Sequence, residues 1–296
     1  MNIDQRSDLK KSRPEIEKEK QLVLGYASET VASEKHPERN EDTVLIDAQH
    51  NTFGVFDGVG GNSSGELASK TACKYVLTNL GELPDGIDVT SIKRCISEIF
   101  NEANKAVQNA SPVKEGDNVM ATTGTVLKIY TDKEGNHYAL IAHVGDSRAY
   151  KIENGILKQI TADDDLLSTS FPSGKKRDEM AEHIANAKTP KDLTTFERTF
   201  FSHRMIISNA LGLCEYNPPS IYTASVKKGD VFLISSDGLH DNLTKTEIED
   251  ICKQQKTLEE IAKELKDKAF ARSKESRSKE MRAKQDDISL VLVEVK

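Results

Sequence analysis

The sequence predicts an α+β fold in which antiparallel strands are flanked by helices. Short apolar runs recur along the chain, and the links between many of them are of hairpin length. A parallel pair would need a crossover of about a dozen residues, so links this short require antiparallel neighbours. Two longer stretches are apolar on one helical face only, which suits helices that pack against a sheet.

The strands are predicted from apolar runs that are bounded by turn residues. After a domain start near QLVLGYASET, five such runs occupy residues 43–46, 52–56, 124–130, 137–144 and 148–152. The turns DAQHN and TDKEGN and an Asn-Gly pair are typical of hairpins. A further strand, DVFLIS, precedes SDGLHDN, and the alternating run ISLVLVEV closes the chain.

Helices are predicted where apolar residues recur at helical spacing. This spacing is clearest over residues 65–80 and 91–110, each of which has one face to bury against a sheet. Two more charged helical stretches follow at about 245–253 and 257–272.

Three charged segments fit poorly into such a core. Residues 1–20 are polar with almost no large apolar side chain, which predicts a disordered tail before a single domain at 21–296. Residues 168–204 and 273–285 are also rich in charge. We therefore expect surface insertions or mobile loops there.

The composition argues against several classes of protein. The 41 basic and 48 acidic residues give a net charge of −7, which disfavours a dedicated nucleic-acid or membrane-surface protein. Neither an apolar run of about 18 residues nor a signal-peptide core is present, so we expect a cytoplasmic protein. We also expect it to be monomeric. The four cysteines are scattered, which suits neither a disulfide framework nor a zinc site.

Carboxylates stand where apolar strands end or begin. Asp57 follows FGVF, Asp146 follows LIAHVG, Asp237 follows VFLISS, and Asp286 and Asp287 precede the last strand. A single Asp-Gly pair is usually only a turn. Four such sites predict a cluster if the strands lie side by side, and clustered carboxylates stay ionised only when cations neutralise them.

The donor type selects the cation. No His/Cys cluster suited to zinc and no calcium loop is present, whereas all-oxygen sites suit magnesium or manganese. Two such ions roughly 3.5–4 Å apart would activate water and clamp a phosphoryl group, which is hydrolytic chemistry. Asp57 would bridge the ions, Gly58 would leave its carbonyl accessible, and Gly60 and Gly61 would turn the chain into the helix.

These segments resemble the metal-dependent type 2C protein serine/threonine phosphatases, the PPM family, in their bacterial form. In family order they are RNEDTVLID, FGVFDGVGG, ATTGTV, IAHVGDSRAY, ITADDDLL, IISNALG, ISSDGLHDNL and QDDISLVLVEV. The resemblance implies a four-layer α-β-β-α sandwich of two antiparallel sheets, with two Mn²⁺ or Mg²⁺ ions in a cleft. It further implies hydrolysis of phosphoserine and phosphothreonine in proteins by a metal-activated water.

The resemblance assigns the main catalytic residues by position. Asp57 would bridge both ions, and Gly58 would offer its carbonyl oxygen to one of them. Asp237 and Asp286 would hold the other ion, so these three aspartates are the predicted catalytic residues. Asp287 ranks below Asp286 because the family often has asparagine there.

Other positions follow the family less closely. Glu41 or Asp42 would act through metal-bound water, and Asp146 would serve the third ion of bacterial members. Val59 replaces a histidine of many eukaryotic members, which suggests that water protonates the leaving group. Asp164 replaces the usual histidine of its segment, which leaves the role of that segment open.

The most important departure is the missing phosphate-binding arginine. The family places it three residues before Asn40, where this chain has Pro37. Arg39, His36 or Lys35 would have to supply the cation, unless all three are solvent-facing loop charges.

Two alternatives to a working enzyme remain open on the sequence alone. One is a pseudo-phosphatase that binds phosphoproteins or regulators with little turnover, and the other is a purely structural sandwich with acidic turns. The complete carboxylate set favours the enzyme, since a non-catalytic module has no need to concentrate negative charge. Segment 168–204 corresponds to the family's flap, where we expect substrate choice to lie.

Overall fold

The computed structural model describes residues 22–59, 64–81, 83, 86, 88–111, 120–171 and 173–296. The predicted tail at 1–20 and the turn at Gly60 and Gly61 lie outside these residues. Within them, no helix is both long and apolar enough to cross a membrane.

Two five-stranded antiparallel sheets form the centre of the molecule. The first has the order β1 (Leu24–Val31), β12 (Ile288–Val295), β11 (Val231–Ser235), β8 (Arg148–Glu153) and β9 (Ile156–Gln159). The second has the order β10 (Ser220–Ser225), β7 (His137–Val144), β6 (Gly124–Thr131), β3 (Thr52–Phe56) and β2 (Thr43–Asp47). A two-stranded ribbon joins β4 (Gly58–Val59) to β5 (Ala121–Thr122).

Alternation along the strands builds three cores. In β12, Leu290 and Leu292 pack toward a helical layer, whereas Val291 and Val293 pack between the sheets against residues such as Phe53. Helices α1 (Ser64–Gly81) and α2 (Val89–Ala110) cover the second sheet. Helices α6 (Asp237–Asn242), α7 (Lys245–Cys252) and α8 (Leu258–Ser273) cover the first. The predicted four-layer α-β-β-α sandwich is confirmed.

The local predictions hold to within a few residues at the element ends. Asn154 and Gly155 have φ angles of 53° and 77° in the turn between β8 and β9. Both values suit the hairpin turn that an Asn-Gly pair favours. The helix α6 was not predicted, because SDGLHDN has the composition of a turn.

The segment 168–204, here called the flap, is mostly helical. It contains the end of α3 (Leu166–Ser170), then α4 (Lys175–Asn186), a 3-10 helix (Pro190–Asp192) and α5 (Thr195–Ser202). Lys245 of α7 pairs with Glu182 of α4 at 2.6 Å, which joins the flap to the outer helical layer.

Several helices in this half of the chain begin with the same N-terminal capping motif. Helices α5, α7 and α8 each begin with a capping box, in which a threonine and the glutamate three residues later satisfy each other's backbone N–H group. Helix α4 begins after Gly174 with no side-chain cap.

The prediction that 273–285 is a surface insertion or mobile loop is wrong for its last part. Arg282 and Lys284 are only 3% and 4% exposed. Charge-rich composition indicates solvent only when no internal partner exists, and here both side chains find partners inside the protein.

Candidate metal centre and active site

The register of the second sheet brings two predicted carboxylates together. Thr43 of β2 is paired with Phe56 of β3. Asp42 precedes Thr43 and Asp57 follows Phe56, so both lie just beyond the same end of this strand pair. The end of one strand and the start of its antiparallel neighbour therefore place these two side chains at one site.

The first sheet contributes its carboxylates at the same place. Ser235 at the end of β11 is paired with Leu290 of β12, so Asp237 and Asp286 emerge from neighbouring strands. Asp146 lies in the turn between β7 and β8, which connects the two sheets.

The electrostatics show that these carboxylates form one cluster. Burial, followed by the charges of Asp42, Asp237, Asp286 and Asp146, raises the pKa of Asp57 well above its usual range. Burial likewise raises the pKa values of Asp42 and Asp146. Such mutual repulsion calls for bound cations.

Two oxygens in the cluster have the features of cation ligands. The Ser236 hydroxyl donates a 2.7 Å hydrogen bond to Asp42 Oδ2, while Asp42 Oδ1 is buried and has no hydrogen-bond partner. Asp237 Oδ1 is also buried without a partner. Buried polar atoms are nearly always satisfied, so these two free oxygens fit a divalent cation that prefers oxygen.

Gly58 is required for a reason beyond the openness of its carbonyl. A Cβ at Gly58 would collide with the backbone of Gly65 and would come within 2.6 Å of the Glu41 carbonyl oxygen. The first turn of α1 therefore packs directly on the strand end that carries Asp57.

A lysine that the sequence did not suggest lies inside the cluster. The Lys284 ammonium is 3.1 Å from Asp286 Oδ2, 3.1 Å from Asp241 Oδ2 and in closer contact with Asp237 Oδ2. Among the described residues, no three acidic, histidine or cysteine side chains are arranged to enclose a metal ion by themselves. Around Asp237, Asp241 and Asp286, the cation that the structure shows is the ammonium of Lys284.

Asp241 is the second member that the sequence did not suggest. It stands four residues after Asp237 on α6, a spacing that places both side chains on one helix face. Arg204 at the end of the flap pairs with Asp241 at 3.2 Å. Burial raises the pKa of Asp241, but Lys284 and Arg204 outweigh it and hold this pKa below its usual value. For Asp237, burial outweighs Lys284 and raises the pKa to about 7.

Asp287 holds a loop at the edge of the centre. Its carboxylate accepts hydrogen bonds from the backbone N–H of Ser33, at 2.7 Å, and of Glu41, at 2.6 Å. Adjacent aspartates thus have different contacts, since Asp286 faces Lys284 and Asp287 fixes the loop that carries Glu41.

That loop also contains the candidate phosphate ligands. Arg39 Nη2 is 3.2 Å from Glu41 Oε1, and its buried Nε has no hydrogen-bond partner. His36 Nδ1 is 2.8 Å from the Arg39 carbonyl oxygen, which makes it a bond within the loop. Lys35 and Pro37 are exposed. Of these side chains, Arg39 is the one with an unsatisfied buried donor near the cluster.

The two remaining departures from the family pattern have clear positions. Asp164 Oδ2 accepts from the Gly145 N–H at 3.0 Å and from Asn209 Nδ2 at 3.3 Å. It therefore ties the turn that carries Asp146 to the IISNALG segment. Val59 is 39% exposed beside the centre.

A cavity of about 350 Å³ opens between the flap and the cluster. Asp146 and Asp237 line it on the cluster side, and Phe201 and Arg204 line it on the flap side. The chain therefore offers a space of mixed charge directly beside the carboxylates.

Comparison with known proteins gives consistent relatives. The sequence profile described as protein phosphatase 2C matches residues 33–276. The chain is 28% identical over 210 residues to "Serine/threonine phosphatase stp" of Listeria monocytogenes, covering 70% of this chain and 74% of that protein. It is 30% identical over 220 residues to PstP, a serine/threonine protein phosphatase of Mycobacterium tuberculosis, covering 74% of this chain and 37% of that longer protein.

Solved structures agree on the fold. A serine/threonine phosphatase of S. agalactiae superposes with a TM-score of 0.70 at 21% identity, covering 93% of this chain and all of that one. The catalytic domain of PstP, in complex with two manganese ions, gives a TM-score of 0.66 at 24% identity, covering 93% and 99%.

Proposed function

The chain belongs to the protein phosphatase 2C family, and we propose that it hydrolyses phosphoserine and phosphothreonine in proteins by a metal-dependent mechanism with water as the nucleophile. The observation that carries this proposal is the cluster at the shared end of the two sheets. Its members come from separate strand ends, and burial together with negative neighbours raises the pKa values of Asp42, Asp57 and Asp146.

The ligands follow from the positions of these groups. Asp57 and the carbonyl of Gly58 would hold Mn²⁺ or Mg²⁺, with Asp42 and Asp146 facing the same space. When bound, such ions supply an activated water and neutralise charge on the phosphoryl group. Asp237 and Asp286 would contribute from the opposite side, where Lys284 already lies.

The other residues of the site bind and orient the substrate. Arg39, whose Nε lacks a partner, would donate to a phosphate oxygen. Glu41 pairs with Arg39 and holds the guanidinium beside the cluster. Asp287 fixes the loop through two backbone N–H groups, so this contact is prepared before substrate binds.

The cavity under the flap would accept the residues next to the phosphorylated side chain. It is lined by groups of both charges, among them Arg148 and Asp163, which pair with each other at 2.6 Å. Substrate choice would then depend on the flap more than on the carboxylates.

The test is hydrolysis of an aryl phosphate and of phosphoserine and phosphothreonine peptides with Mn²⁺, Mg²⁺, Zn²⁺ and excess chelator. We expect turnover with Mn²⁺ or Mg²⁺ that chelation abolishes and zinc does not restore. Full activity in excess chelator would rule out the metal-dependent mechanism. Failure to hydrolyse any phosphate ester with any of these ions would favour the pseudo-phosphatase instead.

A further inference from the structure

We propose that the Lys284 ammonium takes the place of one divalent cation in the acidic centre, so that this protein binds one Mn²⁺ ion tightly rather than two. The inference rests on the proposed function for the identity of the centre. It concerns the number of bound ions, which can be measured without turnover.

The geometry around the ammonium supports this replacement. Three carboxylates, those of Asp237, Asp241 and Asp286, converge on the one nitrogen of Lys284. An Mg²⁺ ion binds oxygen at about 2.0–2.1 Å, so an ion on the same oxygens would lie within a few ångströms of the ammonium. Two cations at that separation repel each other strongly where water is excluded.

The position of Lys284 is fixed by its backbone. Asn242 Oδ1 accepts from the Lys284 N–H at 3.0 Å, and Asn242 Nδ2 donates to the Lys284 carbonyl oxygen at 2.9 Å. Asn242 closes α6, the helix that Asp237 begins. Arg282 Nη2 donates to the His240 carbonyl oxygen at 2.7 Å and adds a second link to this helix. The lysine is therefore held toward the cluster and cannot readily swing to solvent.

The remaining carboxylates retain the need for a metal. Among the described residues, no ion pair reaches Asp42, Asp57 or Asp146, and Asp42 Oδ1 is buried without a hydrogen-bond partner. One Mn²⁺ ion would neutralise this part of the cluster. The ammonium neutralises the other part.

The experiment counts Mn²⁺ ions on the full chain by titration calorimetry and native mass spectrometry. Four proteins are compared: wild type, Lys284→Met, Lys284→Arg and Lys151→Met. Lys151 pairs with Asp230 at 2.8 Å, so the last variant is a matched control that removes a similar pair elsewhere. We expect one tight Mn²⁺ ion in wild type, Lys284→Arg and Lys151→Met. Lys284→Met should bind a second ion at least about tenfold more tightly than wild type does.

Two tight Mn²⁺ ions in the wild type, with affinities within about threefold of those in Lys284→Met, would overturn the proposal. The wild-type count alone decides the matter if Lys284→Met does not fold. Aryl phosphate hydrolysis by the same preparations separates the two proposals. An inactive wild type with one bound ion would contradict the phosphatase function only, and an active wild type with two tight ions would contradict the replacement by Lys284 only.

Discussion

The two sides of the acidic centre neutralise their charge differently. The Asp57 side consists of Asp42, Asp57 and Asp146, and no ion pair reaches these carboxylates among the described residues. The Lys284 side consists of Asp237, Asp241, Asp286 and Lys284, in which one ammonium contacts three carboxylates. Aspartates gathered at strand ends can therefore repel one another until a cation binds. Alternatively, a lysine of the same chain can neutralise them.

The largest expected effect comes from a substitution on the Asp57 side. Asp57→Asn should lower turnover on the order of 10³-fold, because a catalytic metal supplies several kcal/mol of transition-state stabilisation. The same change removes a repelled charge, so the chelated protein should melt at a higher temperature. The measurements are Mn²⁺ binding, aryl phosphate kinetics and thermal melting in chelator. A lower melting temperature in chelator would instead mark Asp57 as a structural turn residue.

On the Lys284 side, removing a carboxylate charge should lower the stability of the chelated protein rather than raise it. Asp241→Asn deletes one buried partner of Lys284 and Arg204, and the fold favours the ionised form of Asp241 because these two cations hold its pKa below the usual value. The free energy of unfolding of the chelated protein should fall by roughly 1–3 kcal/mol, since hydrogen bonds to buried charges are worth about that much. Urea denaturation of the two asparagine variants side by side tests the contrast. Equal shifts in the same direction would show that the two sides do not differ.

A third prediction asks whether the Asp57 side has its own phosphate ligand. Arg39→Ala should lower kcat/KM by about ten- to a hundredfold while Mn²⁺ binding is unchanged, because charge-assisted hydrogen bonds are worth roughly 1.5–3 kcal/mol. Lys35→Ala, at an exposed position of the same loop, is the control. If Pro37→Arg raises kcat/KM and Arg39→Ala is silent, then Arg39 has not replaced the missing arginine.

The smallest expected effect concerns the link between the flap and the Lys284 side. Arg204→Ala removes the pair with Asp241, and kcat/KM for phosphopeptides should fall about three- to tenfold, as expected for the loss of about 1 kcal/mol. Hydrolysis of a small aryl phosphate should change less than twofold. Arg198→Ala is the control, because the Arg198 side chain donates to the Pro190 carbonyl oxygen within the flap itself. Equal losses on both substrates would argue that Arg204 supports the fold instead.

The strands and the Asp57 side could be predicted because both are encoded locally. Apolar runs with turn residues define the strands, and aspartates at strand ends mark where the sheets finish. Asp164 illustrates the limit, because its contact with Asn209 joins residues that are 45 positions apart. Contacts of this kind depend on the packing of the whole fold.

Lys284 was missed because the surrounding sequence is dense in charge and therefore reads as solvent-exposed. One local signal was available. Lys284 stands two residues before Asp286, and in an extended chain such residues point to the same side. Asp241 has a similar signal at four residues after Asp237, but only if SDGLHDN is recognised as a helix start.

The capping boxes distinguish two kinds of helix within the flap. Helix α5 begins with Thr194 and Glu197, whose reciprocal bonds span only three residues. Its first turn is therefore specified mainly by contacts within the turn itself. Helix α4 has no side-chain cap after Gly174, and its last turn depends on distant contacts such as that of Asn186 with Thr246. Local opening of the flap should therefore begin at the ends of α4 rather than at the start of α5.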